Sequence, residues 1–264
     1  MTYTLHTQVG RSSIDFQIQT TFLYDELTAR FRSFEASRNL EAPDIQVEVY
    51  DFYGKPFDDG PVEIQENGGE YVYIRADYKL VTTPDYSQAK IYVHDDLALK
   101  HALINLYSAW LIHRRAGLLI HSSCVVEDDR AWMFAGPSGA GKSTVADLSV
   151  PRPILSDEAT LLLFEPDGSI TIHDSPFRSE MEEACELPSS PLAGIHFLIQ
   201  SQDVRRVGIR KGDALISLLD KVFYWEHNKQ ETAKMIALCK QAVEGVPAYE
   251  LYFQKNDTFW GVIS

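Results

Sequence analysis

The stretch Trp132–Thr144, which reads WMFAGPSGAGKST, decides how this chain folds. From Gly136 to Ser143 it has the spacing G-x-x-x-x-G-K-[ST], after an apolar run typical of a strand and before residues 145–148, which can open a helix. Strand, glycine-rich loop and helix in this order predict a phosphate-binding loop. The alternative is a glycine-rich turn that binds nothing, and the flanking strand and helix favour nucleotide binding over it.

The residue types in this loop suit a polyphosphate. Glycines let the backbone curl around the ligand, and the following helix adds unpaired N–H groups with a partial positive charge. We expect Lys142 to contact the β- and γ-phosphates and the Ser143 hydroxyl to coordinate Mg²⁺. Nucleotide contacts are expected over the whole loop: Gly136, Pro137, Ser138, Gly139, Ala140, Gly141, Lys142, Ser143 and Thr144.

Composition and charge limit the classes of partner. The 264 residues are 45% hydrophobic and 23% charged, which is ordinary for one large or two small globular domains. Acidic residues outnumber basic ones by 38 to 24, for a net charge of −14. Such a surplus argues against a nucleic-acid-binding surface across the whole protein, so we expect no nucleic-acid partner.

Cysteine usage and the apolar runs predict a cytoplasmic protein with no membrane partner. Cys124, Cys185 and Cys239 are an odd number, lie far apart and form no C-x-x-C pair, so neither a disulfide framework nor a zinc site is expected. The start, MTYTLHTQVGRSSIDF, lacks the order of a signal peptide. No apolar run approaches the roughly 20 residues that span a bilayer.

The pattern of residues 1–116 predicts a small mixed α/β lobe that ends in a connecting helix. Apolar and polar residues alternate in three segments that predict strands, and a helical spacing of apolar residues lies between the first two of these segments. The strands are expected at Ile14–Ile18, Ile45–Val49 and Tyr71–Arg75, the helix at Tyr24–Arg38, and the connecting helix at Asp95–Arg115.

The lobe is rich in aromatic residues but carries no motif of recognisable chemistry. These aromatic side chains could form a peptide-binding surface, although core packing and scattered surface aromatics explain them more simply. They are Phe22, Tyr24, Phe31, Phe34, Tyr50, Phe52 and Tyr53.

Residues 117–264 predict a second domain around the phosphate loop. Leu118–Val126 and Ala131–Ala135 should form a hairpin that leads into the loop. His121 lies in the first of these strands, and a lone histidine in an apolar run is more often structural than catalytic. The remaining elements are expected as strands at Ile195–Ile199, Tyr249–Phe253 and Phe259–Ile263 and helices at Asp213–Trp225 and Lys229–Val243.

Asp157 and Glu158 stand together between two apolar runs, in ILSDEATLLL. Adjacent carboxylates are costly there unless they face water or have a function. An acid at a strand end beside a phosphate loop can bind Mg²⁺ or accept the proton of the attacking hydroxyl. We therefore favour a functional pair over a solvated strand end.

Two further segments each allow two interpretations. Residues 173–194 are rich in Glu, Ser and Pro and predict either a lid or substrate loop or a disordered connection. The densest basic cluster can be a solvated face or can meet phosphates or an acidic peptide. It consists of Arg205, Arg206, Arg210 and Lys211.

Three elements stand in one order along the chain: LLIHSSCVV, GPSGAGKST and LSDE. Over residues 117–264 this order resembles the kinase domain of the HPr kinase/phosphorylase family, whose members phosphorylate a serine of a protein partner. In length and in its GPSGAGKST, LSDE and SPF elements, the chain resembles more closely the HPr-kinase-like enzymes of lasso-peptide biosynthesis. Those enzymes phosphorylate a C-terminal serine of a precursor peptide.

The resemblance implies a P-loop catalytic domain of the HPr-kinase-like, PEP-carboxykinase-like fold that uses ATP and Mg²⁺. It implies that Asp157 is the general base and that Glu158 supports Mg²⁺ or the base. It further implies that Lys142 holds the transferring phosphoryl group, that Ser143 binds the metal and that His121 orients or tunes Asp157. Because HPr kinases form rings, a homo-oligomer is also an open expectation.

The chain departs from the family at its second metal ligand. HPr kinases carry the stretch E-x-R-G-L-G, whereas SPFRSE stands at about that distance here and offers Arg178 and Glu180. Neither metal binding by Glu180 nor the reverse, phosphate-removing activity is therefore expected. A C-terminal serine substrate needs a cation for its carboxylate, and we expect Arg178, or one of Arg205 and Arg206, to provide it.

These observations predict an ATP-dependent serine kinase that acts on a precursor peptide or small protein. One alternative is a kinase of HPr or of a small-molecule hydroxyl. Another, from a different class, is a non-catalytic nucleotide-binding regulator in which the nucleotide orders residues 174–194.

Overall fold

The computed structural model describes residues 2–31, 34–35, 42–179 and 185–263. The chain forms two compact units, one of Met1–Arg114 with Tyr224–Thr232 and the other of Arg115–Phe223 with Ala233–Ser264. Both units combine strands and helices, which confirms a mixed α/β protein. None of the described helices is long and apolar enough to cross a membrane.

The first unit is built on a seven-stranded mixed sheet. Its strands are β1 (Tyr3–Val9), β2 (Ser12–Ile18), β3 (Ile45–Tyr50), β4 (Glu63–Asn67), β5 (Glu70–Ile74), β6 (Tyr78–Thr82) and β7 (Gln88–Val93). They pair in the order β1-β2-β3-β7-β6-β5-β4, with β3 parallel to both of its neighbours. The three strands predicted in this region are confirmed to within two residues.

The helices of this unit are α1 (Thr21–Arg30) and α2 (Asp96–Arg114). The connecting helix is confirmed, whereas α1 is shorter than the predicted Tyr24–Arg38. Its C-cap, Phe31, leaves the helical conformation and is fully buried, with its ring 5.5 Å from that of Phe16. Tertiary burial of this aromatic ring therefore overrides the helical spacing, and residues 32–33 and 36–38 of the predicted helix lie outside the described part of the chain.

In the part of the second unit that the structure describes, there are eight strands in one sheet. They are β8 (Gly117–Glu127), β9 (Arg130–Ala135), β10 (Ile154–Ser156), β11 (Ala159–Phe164), β12 (Ile170–His173), β13 (Ser189–Gln200), β14 (Arg205–Gly208) and β15 (Ala248–Phe253). β8 pairs with β11 through residues 117–121 and with β9 through residues 122–127. The predicted hairpin of β8 and β9 is confirmed, as are the strands expected at Ile195–Ile199 and Tyr249–Phe253.

Three neighbouring strands of this unit run parallel and carry the candidate site. β13 pairs in parallel with β9 on one side and with β15 on the other. Because parallel strands place their carboxyl ends at one edge of a sheet, the segments after Ala135, Gln200 and Phe253 emerge at the same edge. The phosphate loop is the segment that follows β9.

The helices associated with the rest of the chain are α3 (Lys142–Ser149), α4 (Lys211–Leu219), α5 (Lys229–Gly245) and α6 (Trp260–Ile263). The helix predicted at Lys229–Val243 is confirmed, whereas the one predicted at Asp213–Trp225 is wrong beyond Leu219. Val222 forms a β-bridge with Ile120, and the Phe223 N–H donates to the Leu119 carbonyl at 3.0 Å. Pairing with β8 therefore replaces the last turns of the predicted helix.

The strand predicted at Phe259–Ile263 is also wrong, because this segment forms a 3₁₀ turn followed by α6. The Asn256 side chain caps the turn by accepting the Thr258 N–H at 3.2 Å. Phe259, Trp260 and Ile263 are then all buried against the core around α3. Local capping and burial on one helical face decide against the extended form.

His196 of β13 is the centre of an aromatic stack in this unit. The ring is fully buried and lies 5.1 Å from that of Phe134 and 5.3 Å from that of Tyr249. Burial, assisted by the charge of Arg206, lowers the pKa of His196 to about 3. The folded protein thus holds this imidazole neutral at pH values where the unfolded chain protonates it.

We predict that His196→Phe makes the stability less sensitive to acid. Since the pKa is lowered on folding, the unfolded state binds the extra proton between about pH 6.5 and 3, and stability falls as the pH falls through that window. His196 should then account for about 2 kcal/mol of lost unfolding free energy between pH 7 and pH 5. Urea unfolding at both pH values tests this, and equal losses for variant and wild type would refute it.

Candidate phosphate-binding site

The phosphate loop needs glycine at positions 136, 139 and 141 for steric reasons. Gly139 and Gly141 have φ angles of 75° and 106°, in the left-handed region that favours glycine. A Cβ atom at Gly141 would lie 2.6 Å from Cζ of Phe253, and one at Gly136 would lie 2.7 Å from Cβ of Ala140. The loop is a cradle that backbone N–H groups can line, and its donors fit a polyphosphate.

Side chains from the neighbouring strands tie this loop down. The Ser123 hydroxyl of β8 donates to the Lys142 carbonyl at 2.9 Å, which anchors the first turn of α3. The Gln200 side chain donates from Nε2 to the Gly139 carbonyl at 2.8 Å. The cradle is therefore held on both sides by the strands β8 and β13.

Lys142 points its ammonium group back into the loop. Nζ donates to the carbonyls of Gly136 and Pro137 at 3.2 Å each, and the residue is buried. Burial lowers the pKa of Lys142, the charge of Lys221 lowers it further, and the carboxylate of Glu158 acts in the opposite direction. The lysine is thus electrostatically coupled to a second lysine and to Glu158 of the predicted acidic pair.

His121 sits on β8 between two neighbouring segments. Ala159 of β11 is its partner on one side, and on the other its N–H donates to the Lys221 carbonyl at 2.7 Å. Burial lowers the pKa of His121 to about 4, and the charges of Lys142 and Lys221 act in the same direction. The imidazole is therefore neutral near pH 7 and can accept a hydrogen bond or a proton.

The predicted acidic pair forms the two-residue connection between β10 and β11. Asp157 is buried, and the Ser179 N–H donates to its two carboxylate oxygens at 3.1 and 3.2 Å. Glu158 is half-buried, and its carbonyl accepts the Ser122 N–H at 3.0 Å. This hydrogen bond fixes the connection against β8 at Ser122, the residue that follows His121.

A cluster of three buried hydroxyls supports the connection, and sequence reasoning missed it. Ser122, Ser156 and Thr160 are each fully buried. The Thr160 Oγ1 lies 2.7 Å from the Ser122 Oγ and 2.8 Å from the Ser156 Oγ, and donates to the Ser122 carbonyl at 3.0 Å. Hydroxyl residues inside otherwise apolar strands were the available signal, since such groups need partners when buried.

Lys221 is the second residue that sequence reasoning missed. The bridge between Ile120 and Val222 is antiparallel, so Lys221 stands directly opposite His121 and the two side chains share one face. The ammonium group also pairs with the neighbouring Asp220 carboxylate. No local pattern marks this lysine, because only the pairing with β8 brings it to the site.

Arg178 lies next to the acidic pair but is engaged internally. It is buried, and its guanidinium pairs with the Asp174 carboxylate and donates to the carbonyls of Ile154 and Leu155 at 3.0 and 3.4 Å. Burial raises the pKa of Asp174 to about 6 in spite of this arginine. Arg178 thus ties the segment before residues 180–184 to β10, and Glu180 lies outside the described residues.

Arg205 and Arg206 occupy β14, at the opposite end of the strand order from β10. The Arg205 guanidinium lies 3.8 Å from the centre of the Tyr252 ring, and that of Arg206 lies 3.6 Å from the centre of Tyr249. Arg206 also donates to the Ile263 carbonyl at 3.1 Å. The three candidate arginines therefore do not converge, and their predicted role in substrate binding stays a prediction.

The donors for a metal ion are few. Within the described residues no three or more His, Cys, Asp or Glu side chains are grouped so that they could hold a metal ion. Mg²⁺ commonly takes one or two protein ligands and completes its shell with phosphate oxygens and water. Ser143 and Glu158 fit that limited role for a phosphate-bound ion, not a site made of protein alone.

A family model described as SynChlorMet cassette protein ScmC matches residues 89–264, about two thirds of the chain. The chain therefore belongs to the ScmC family. None of the curated proteins matches it.

We predict that Thr160→Val destabilises the second unit without changing the volume of the side chain. The buried Ser122 carbonyl and two hydroxyls would lose a partner, at a cost of about 1–3 kcal/mol. Thr171→Val is the matched control, because its half-buried hydroxyl bonds to the side chain of Glu165. Urea unfolding compares the two variants, and equal losses would argue against a supporting role for the hydroxyl cluster.

Proposed function

We propose that this member of the ScmC family is an ATP- and Mg²⁺-dependent kinase that phosphorylates a C-terminal serine of a ribosomal precursor peptide. The observation that carries the proposal is the grouping of a phosphate loop, a neutral histidine and an acidic connection around β8. The proposal includes the finer fold assignment of residues 117–264 as an HPr-kinase-like, PEP-carboxykinase-like P-loop domain. It also includes a cytoplasmic location.

The chemistry follows from the positions of these groups. The substrate hydroxyl attacks the γ-phosphorus, the bond to the β–γ bridging oxygen breaks, and ADP leaves with that electron pair. The hydroxyl proton goes to the carboxylate of Asp157, for which the Ser179 N–H maintains one orientation. Mg²⁺, when bound, neutralises phosphate charge, so positioning and charge account for most of the acceleration.

The positive charges beside the loop support transfer rather than simple binding. Lys142 contacts the transferring group, and Lys221 adds a second cation on the face that carries His121. Burial lowers the pKa of His121, and both lysine charges act in the same direction, so that the imidazole stays neutral and can assist Asp157 as a hydrogen-bond partner. Lys221 is also the cation on this face that can neutralise a substrate carboxylate or the phosphoryl oxygens.

Two other functions use the same residues. A kinase of HPr or of a small-molecule hydroxyl would need the same loop and base but a different acceptor. A non-catalytic regulator would need only the loop, and it would have no use for a buried carboxylate held by a backbone N–H. The buried state of Asp157 therefore favours an enzyme.

We predict that Asp157→Asn loses phosphoryl transfer while nucleotide binding is retained. The amide cannot accept the hydroxyl proton, and loss of a general base typically costs about 100- to 10,000-fold in rate. The assay incubates the protein with Mg·ATP and, separately, with HPr and with the precursor peptide encoded beside its gene, and locates phosphate by mass spectrometry. Transfer at the wild-type rate would rule out the assignment of the base, and calorimetry with ATP measures binding in parallel.

We predict that Lys221→Gln raises the pKa of His121 and slows transfer. The lysine charge lowers that pKa in the wild type, so its removal must shift the titration toward neutral pH. Imidazole resonances followed by NMR measure the shift, and peptide phosphorylation measures the rate. Lys240→Gln, which removes a lysine paired with Glu244 on the surface of α5, is the control and should change neither. An unchanged His121 titration in Lys221→Gln would contradict the coupling.

A further inference from the structure

We propose that the nucleoside part of the nucleotide binds in a cavity beside the helical end of the phosphate loop, between the segments that follow β13 and β15. The inference rests on the proposed function, in which the loop holds the phosphates. The cavity has a volume of about 860 Å³. Its principal lining residues are Thr144, Gln200, Gln202, Asp203, Phe253 and Lys255.

The strand order puts this cavity in line with the phosphates. β9, β13 and β15 are parallel neighbours, and ligands of such sheets bind beyond the carboxyl ends of the strands. The phosphate loop follows β9, whereas the cavity walls are the segments 200–203 and 253–255 that follow the other two strands. Gly141 and Thr144 border both the loop and the cavity, so a ligand can extend from one into the other without crossing the sheet.

The two walls are joined to each other and to the loop. The Ser201 N–H donates to the Phe253 carbonyl at 3.0 Å, and the Ser201 hydroxyl accepts the Asp203 N–H at 3.1 Å. The Gln254 side chain bonds to the Gln202 carbonyl. Gln200 reaches from the cavity wall to the loop carbonyl of Gly139, so loop and cavity form one continuous surface.

The chemistry of the lining suits a purine nucleoside. Phe253 lines the cavity beside the loop, and its ring is buried under Gly141. The exposed side chains of Gln202, Asp203 and Lys255 offer an amide, a carboxylate and an ammonium group. Together they can accept from ribose hydroxyls or base N–H groups and donate to base acceptors, and the volume is within the usual range for small-ligand sites.

Asp203 provides the sharpest test, because its side chain is exposed and lies outside the loop. Titration calorimetry on the full chain with Mg²⁺ would compare ATP, GTP and inorganic tripolyphosphate, which shares the phosphates but lacks the nucleoside. We expect Asp203→Ala to weaken the preferred purine nucleotide about tenfold and Asp203→Trp to weaken it further by filling the cavity. Tripolyphosphate affinity should stay at the wild-type value in both variants.

Asp213→Ala is the matched control, since it removes an exposed carboxylate from α4 with the same change in net charge. If ATP and GTP bind the two Asp203 variants as they bind wild type, or bind wild type no more tightly than tripolyphosphate, the cavity assignment is wrong and the proposed function stands. If the wild-type protein binds none of the three ligands, the proposed function and this inference both fail. The relative affinities of ATP and GTP identify the base that the cavity prefers.

Discussion

The division of β8 at Ser122 is the constraint on which the candidate site depends. Up to His121 the strand pairs with β11, and from Ser122 onward it pairs with β9, so two sets of backbone partners meet at one point. The short connection between β10 and β11 must lie at this point, because both of those strands pair with β8. The phosphate loop follows β9 and its helix is anchored to the next residue, Ser123.

Burial makes this arrangement specific. The hydroxyls of Ser122, Ser156 and Thr160 form hydrogen bonds with one another and with the Ser122 carbonyl. These polar groups can therefore be buried without loss of hydrogen bonds. Around them, Lys142 and Lys221 lie near a neutral histidine, and the carboxylate of Glu158 acts on Lys142 with the opposite sign.

The sequence patterns predicted those helices, strands and loops whose formation depends on residues close together in the chain. The helix α2, the hairpin of β8 and β9 and the strand–loop–helix of the phosphate loop follow from apolar spacing, capping and glycine positions, all of which act over a few residues. The errors lie where distant residues compete with those preferences. The helix expected to Trp225 ends at Leu219 because β8 takes up the following backbone, and the last segment is helical because the core around α3 buries one of its faces.

The sequence by itself determined the strand, glycine-rich loop and helix from Arg130 to Ser149, because the glycines and the apolar spacing that specify them lie close together in the chain. It also marked the acidic pair as a candidate site, because adjacent carboxylates between apolar runs are costly to bury without a partner or a function. Only the tertiary structure decided which charges surround them. Lys221 joins His121 through pairing between segments about a hundred residues apart, and Arg178 is committed to Asp174 by burial, contacts that no local pattern encodes.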